Sequence, residues 1–455
     1  MFSDRFRAIT RQTISLGWPV SVQQSLNTLM RTVDILVTGF FSPAAVAAIG
    51  LADLYARIPL RIGMGLGSGA IALSSQDTGR GAVDTRDRAI SQALLIGALT
   101  GVPLVIVGLL FSHALIEILG AESEVVRLGG LYLAIIFAAS PFRIVAMVGA
   151  RSLQGTGDTR TPMFANGSAT GLNIVLTIGL GLGIWIAPTL GIIGVGIATA
   201  VSRVVEASLI LIAIGSPKTA PSFARPTTLT ITRQLIGVSL PDIAGGLSSE
   251  IANFPVNAII LLFGTEANAA YHIASRVYQQ FTAPLFRAFR TVSSIIVGQE
   301  LGAGQHDQAR YAARSISAIS LAILSAAGLI LFIGAELFAL LFTRDAVTVA
   351  FATDFNRAYA IAMVFIALYF PLAGALRGAG DTRTPFYAAI VGSYVFLLGG
   401  SYVLGILLDL GLLGVYISIV LSYVARATIV VVGIRWGSWV ELSERLIAER
   451  AEDES

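Results

Sequence analysis

Gly157-Asp158-Thr159-Arg160-Thr161-Pro162 recurs without a change as Gly380-Asp381-Thr382-Arg383-Thr384-Pro385, 223 residues further along. An identity of this length calls for a search at the same offset. Gln76, Gly79, Gly81 and Asp84 fall on Gln299, Gly302, Gly304 and Asp307. Val33-Asp34 falls on Val256-Asn257, and Phe40 on Phe263. Elsewhere the register slips slightly. Arg11-Gln12 and Pro19 meet Arg233-Gln234 and Pro241 at 222, while Gly191, Gly194, Val195 and Ser202 meet Gly411, Gly414, Val415 and Ser422 at 220. Small loop insertions explain such slips, so the chain is one unit written twice. In the hexapeptide, Thr161-Pro162 reads as an N-cap followed by Pro at the first helical position, with Asp158 in a turn. Its role is to start a helix.

Composition says what kind of unit is repeated. Of 455 residues, 55% are hydrophobic and 13% charged, against about 25% charged in a soluble domain. Gly is frequent at 47, Cys is absent, and the mean hydropathy is +0.79. A soluble globular protein, a disordered chain and a disulfide scaffold are excluded, as is chemistry at cysteine. The class is an all-α membrane protein. A bilayer-crossing helix needs about 20 apolar residues, and twelve stretches qualify: 14–41, 45–76, 89–112, 124–150, 162–186, 190–215, 234–263, 268–299, 312–335, 348–374, 385–408 and 411–434. They lack the period-two alternation of barrel strands.

Each half holds six spans. Six is even, so both halves enter the membrane in the same direction. Two six-helix bundles related by a pseudo-two-fold along the membrane normal are expected, with a cleft between them. The expected divisions are an N-terminal lobe over 1–215, a cytoplasmic linker over 216–232, a C-terminal lobe over 233–436 and a charged cytoplasmic tail over 437–455. Paired lobes of this kind are typical of transporters that rock about a central site; a duplicated scaffold with a static interface is the alternative.

Charge gives an orientation. All but one of the 30 basic residues are Arg, the exception being Lys218. With the N-terminus inside, cytoplasmic segments carry eighteen of them, from Arg5, Arg7 and Arg11 through Arg80, Arg86 and Arg88 to Arg435, Arg445 and Arg450. The outer loops carry Arg344 alone. That bias places both termini in the cytoplasm. The first apolar stretch contains Arg31 and Asp34, which does not suit a cleavable signal peptide. A multi-pass protein of a prokaryotic cell membrane is expected.

With the duplicated Gly-Asp-Thr-Arg-Thr-Pro after the fourth span of each half, the Gln-to-Gly boundaries at Gln76–Gly79 and Gln299–Gly302, and Pro19 fifteen residues before Asp34, the chain resembles the multidrug and toxic compound extrusion family, closest to its prokaryotic DinF-like branch. The resemblance covers nearly the whole chain. It implies twelve spans, secondary active export of small, possibly cationic, organic compounds, and antiport against protons or sodium.

An ionisable group deep in a helix costs about 2.5–3.5 kcal/mol on insertion scales and is a functional candidate by default. Asp34 lies in the outer half of the first span, and its repeat position holds Asn257. Only one half retained a carboxylate. The resemblance implies that Asp34 binds the coupling cation with Tyr132, Asn173, Thr177 and Thr199. Such oxygens suit a hard cation such as Na+, with Asp34, Asn173 and Thr177 as its ligands, and a buried carboxyl can equally carry a proton. Many relatives have a second aspartate where this chain has Thr177. Local pairing of Asp34 with Arg31 is the alternative.

Glu250, near the middle of the seventh span, is a second candidate, with Asp242 closer to the inner end. Among intramembrane arginines, Asp53 with Arg57, Arg203 with Glu206, and Asp354 with Arg357 have pairing spacing. Arg61, Arg287 and Arg290 have no acid nearby in sequence. Together with Glu250, Phe254 and Tyr278 they are expected to line the substrate cleft, although Arg61, Arg287 and Arg290 can instead pair with Glu250 or Asp242 across helices. A cationic cleft favours anions, so a flippase or exporter of an anionic or lipid-linked precursor is the competing reading. No Walker A, HExxH or GxSxG pattern occurs. An enzyme is not expected, nor a cofactor beyond the coupling ion, a resident metal or a nucleic-acid partner. The expected partners are a small-molecule substrate and the lipid bilayer, and the expected state is a monomer.

Overall fold

The computed structural model describes residues 2–184, 188–226 and 228–453. Positions 1, 185–187, 227 and 454–455, which belong to the expected N-terminal lobe, linker and tail, lie outside the described residues. Regular structure in the described residues is helical throughout. The first half holds α1 (Phe2–Thr38), α2 (Pro43–Arg80), α3 (Val83–Glu117), α4 in two pieces (Ser123–Ala138 and Ser140–Gly155), α5 (Arg160–Leu182) and α6 (Gly191–Ile214). The second holds α7 (Leu229–Leu261), α8 (Thr265–Val277, continuing as Ala283–Gly302), α9 (His306–Ile333), α10 (Ala346–Gly378), α11 (Arg383–Leu407) and α12 (Leu412–Trp436). The last helix, α13 (Trp439–Glu452), follows them. Each of the twelve expected spans falls on a helix.

Among the described residues, eight helices are long and apolar enough to cross a membrane, and nine when the two pieces of α4 count as one. The other three are α1, α7 and α8, in which polar groups such as Asp34, Glu250 and Arg287 interrupt the apolar run. Sequence explains the breaks. α4 bends by 44° where Ser140-Pro141 begins its second piece. In α8 a single π-helical turn, Tyr278–Thr282, precedes Pro284. Proline offers no N–H to the helical ladder, and the helix locally rewinds.

Both copies of the hexapeptide begin a helix, but the capping residue is not the expected Thr161. Asp158 Oδ1 accepts the backbone N–H groups of Arg160 and Thr161 at 3.1 and 2.9 Å. In the second copy Asp381 accepts from Thr384 N–H at 3.0 Å and from its hydroxyl at 2.6 Å. The carboxylate outcompetes the hydroxyl because the helix N-terminus is a positive end. Pro162 is therefore the third residue of the helix, within its first turn, and not the first. The preceding Gly157 and Gly380 have φ of +93° and +88°, a conformation that costs other residues. The repeat is retained because its geometry leaves little choice. Asp158→Ala and Asp381→Ala should each cost about 1 kcal/mol, and Thr161→Ala less, as read by thermal unfolding in detergent.

The helices gather into two compact units that do not follow the chain halves everywhere. One comprises Met1–Ser21, Ser75–Gly81 and Gly237–Ser455; the other comprises Val22–Ser74 and Ala82–Ile236. Thus α1, α2 and α7 each contribute to both. The first unit is built around α10, which packs on α8, α9 and α12 through Phe286, Phe355, Met363, Ile366 and Ile419. The apolar stretch of α10 is 72% buried, against 22% for α3, so α10 is a central helix and α3 leaves most of its surface for lipid. The second unit has its own core of Ala48, Ala52, Ile116, Leu133, Phe137, Ile192 and Val195.

Candidate functional site

In the second unit, α1 brings Asp34 to the side of α5. The Thr177 hydroxyl donates to Asp34 Oδ1 at 3.3 Å. Asn173 lies one turn before Thr177, so both project from one face, and both are fully buried. The Asn173 amide donates to Thr199 Oγ1 on α6 at 3.4 Å. Tyr132 on α4 packs its ring against Gly196, where an added Cβ would come within 3.1 Å of it. Gly196 lies one turn before Thr199. The fields of Asp34 and Asp53 both reach Tyr132. The five residues named from the sequence come together from four helices.

Asn173 Oδ1 accepts no hydrogen bond among the described residues. A buried acceptor without a donor is costly. Its amide meets the Thr199 hydroxyl, and one turn along the same face the Thr177 hydroxyl meets the Asp34 carboxylate, so the side chains offer an all-oxygen set that fits a hard cation or a proton on the carboxyl. Asp34 makes no ion pair with Arg31 among the described residues. Its charged surroundings are Arg203, Asp53 and Arg31, whose fields reach it.

A second polar chain lies further along α6. Arg203 Nη1 pairs with Glu206 Oε2 at 2.6 Å, as the spacing predicts. Glu206 Oε1 accepts the Asn166 amide at 2.7 Å, and that amide also reaches Asn27 Oδ1 of α1 at 3.3 Å. Sequence reasoning missed Asn27 and Asn166. A signal was present: Asn166, Thr170, Asn173 and Thr177 form one buried polar stripe along α5, repeating at three- and four-residue intervals.

The equivalent place in the other unit is built differently. Asn257 donates to the Asn253 carbonyl of its own helix at 2.8 Å. Glu250 is half-buried on α7, and Arg287 and Arg290 are half-buried on α8; Arg61, also half-buried, lies on the part of α2 that belongs to the same unit as Asp34. Asp242 pairs with Arg377, near the end of α10. Arg377 Nε and Nη2 both donate to its Oδ1, at 2.9 and 2.6 Å. Tyr278 differs from its expected place on an open wall. It is buried, its ring stacks with those of Phe286 and Tyr359 at 5.4 and 4.9 Å, and its hydroxyl meets that of Tyr423 at 3.1 Å. The π turn of α8 sets it in this aromatic core. Phe254 is exposed. Outside the spans, Asp345 caps α10, and its hydrogen bonds with Thr348 hold its carboxyl below the ordinary value.

Comparison with known proteins agrees with this architecture. The chain is 28% identical to a probable multidrug resistance protein NorM of Rhodopseudomonas palustris, covering 94% of this chain and 92% of that one. It is 25% identical to a probable NorM of Thermotoga maritima, covering 95% and 93%. A solved MOP superfamily transporter from Pyrococcus furiosus, 23% identical, superposes with a TM-score of 0.87 over 97% of both chains. Such a likeness shows the fold. The sequence pattern of the MatE family matches residues 19–178 and 245–403, one match in each repeat and together more than half of the sequence. The chain belongs to the MatE family of multidrug and toxic compound extrusion transporters.

Proposed function

We propose that this protein exports small organic compounds across a prokaryotic cell membrane by antiport with protons or sodium, with both termini in the cytoplasm. The observation that carries the reading is the Asp34–Thr177 contact, one helical turn from Asn173, whose buried oxygen has no donor among the described residues. Cation or proton binding there alters what α1, α5 and α6 can hold together. For coupling, the ion must bind two conformations with different affinity, and the substrate must feel the same difference. Thr177 in place of a second carboxylate leaves one formal charge among the five residues, which favours one monovalent ion per cycle.

Glu250, Arg61, Arg287 and Arg290 are the proposed substrate contacts. Phe254 remains a candidate by its exposure, and Tyr278 is better understood as a packing residue of the aromatic core. Relatives named for multidrug resistance do not favour the lipid-precursor flippase. Purified protein in proteoliposomes should accumulate or expel a panel member only under an imposed proton or sodium gradient. Cationic and anionic compounds are tested in parallel. Equal movement with and without either gradient would refute antiport.

A further inference from the structure

The tail read from the sequence as a charged extension is an anchored helix. One face of α13 is buried, through Trp439, Val440, Ser443 and Arg450. The Trp439 indole donates to the Ile434 carbonyl at 3.0 Å. Arg450 is the unusual member. Its side chain and that of Asp77 are both fully enclosed. Arg450 Nε and Nη2 donate to Asp77 Oδ1 at 3.1 and 3.0 Å, and Nη2 also donates to Gln76 Oε1 at 2.9 Å. Gln76 in turn donates to the Gly378 carbonyl, at the end of α10, at 2.9 Å. The partly exposed Arg80 also lies 3.7 Å from Asp77 Oδ1.

These groups surround a reciprocal crossing. Gly79 lies against the backbone of Gln299, and Gly302 against that of Gln76. These are equivalent residues of the two repeats, each meeting the other's partner. All belong to one compact unit, although α2 up to Ser74 belongs to the other. An enclosed ion pair adds little net stability over apolar residues of similar size, because both ions lose their water. Its advantage appears when a contact must break and reform: separated ions regain hydration, whereas a parted apolar plug exposes its surface.

We propose that α13 is a latch on the inner crossing of α2 and α8, with Arg450 as the positioning residue that holds the last turns of α2 closed. The inference rests on the alternating-access exporter described above, in which this crossing must part to admit substrate from the cytoplasm. Release of Arg450 shifts the population toward the parted form.

The absence of Cys makes the test clean. Ser75→Cys places the chain's one thiol at a fully buried position beside the crossing. Alkylation by a membrane-impermeant maleimide is timed in inside-out and right-side-out vesicles. Arg450→Gln should speed alkylation at least about tenfold, a shift that loss of an enclosed ion pair can supply. Arg450→Lys should restore most of the slow rate. Because Arg450→Gln strands a buried carboxylate, the double variant Asp77→Asn with Arg450→Gln is measured too. It removes both charges, should melt near the parent, and should still be alkylated several-fold faster. Parental alkylation rates in a folded double variant overturn the latch. The vesicle orientation that gives labelling bears on topology alone, and gradient-driven export of the parent bears on the exporter reading alone.

Discussion

Asp34→Asn should reduce gradient-driven export by about 100-fold, near the upper range of coupling between two sites, while the protein still folds and inserts. Asparagine keeps an oxygen that can accept the Thr177 hydroxyl at the present 3.3 Å. The helix contacts therefore survive and the negative charge does not. Of the five gathered residues only Asp34 carries a formal charge near neutrality, so neither a proton nor a sodium ion retains its counter-charge. Gradient-driven flux of a panel compound is the measurement, with monodispersity in detergent as the control for folding. Substrate exchange in the absence of a gradient should be less affected, because it does not require ion binding. Thr177→Val should cost several-fold less than Asp34→Asn, since a hydroxyl ligand is lost but the charge remains. Full export by Asp34→Asn would remove this carboxyl from the coupling step.

The order of these effects reflects what could be read in the sequence. Asp34 was legible because carboxylates within apolar spans are rare and because its repeat position holds Asn257. The grouping of Asn173, Thr177, Thr199 and Tyr132 came through family resemblance, and their contacts cross helices at separations that no local spacing encodes. Asn166 was marked only by the polar stripe of α5, and its pairing with Glu206, 40 residues away, had no spacing signal for the same reason. The burial of charges was not legible. Arg86, Arg377 and Arg450 are each buried and held to an aspartate, and hydropathy cannot distinguish an arginine that faces water from one folded back into an ion pair. The twelve spans were legible because each rests on many apolar residues. The aromatic stack that buries Tyr278 depends on a single π turn, and no sequence pattern marked it beyond Pro284.

The repeat itself supplies the second large effect. Gly302→Val should abolish folded yield or lower stability by more than about 3 kcal/mol, beyond the usual range for overpacking, and Gly79→Val should act in the same way. A Cβ at either position would overlap the carbonyl of the crossing helix, Gln76 for Gly302 and Gln299 for Gly79. Backbone cannot move aside as a side-chain tip can. Gly171→Ala is the matched control: it lies within α5, and a Cβ there meets nothing within 4 Å. It should be neutral or stabilising by up to about 1 kcal/mol, since alanine favours helix. The milder pair Gly79→Ala and Gly302→Ala tests whether the two contacts form one crossing. If they do, the first substitution already separates the helices and the second costs less than it would alone, so the double variant melts above the additive expectation. Strict additivity would mean that the two glycine contacts are independent, and the reciprocal crossing would then be a coincidence of the repeat instead of a single joint.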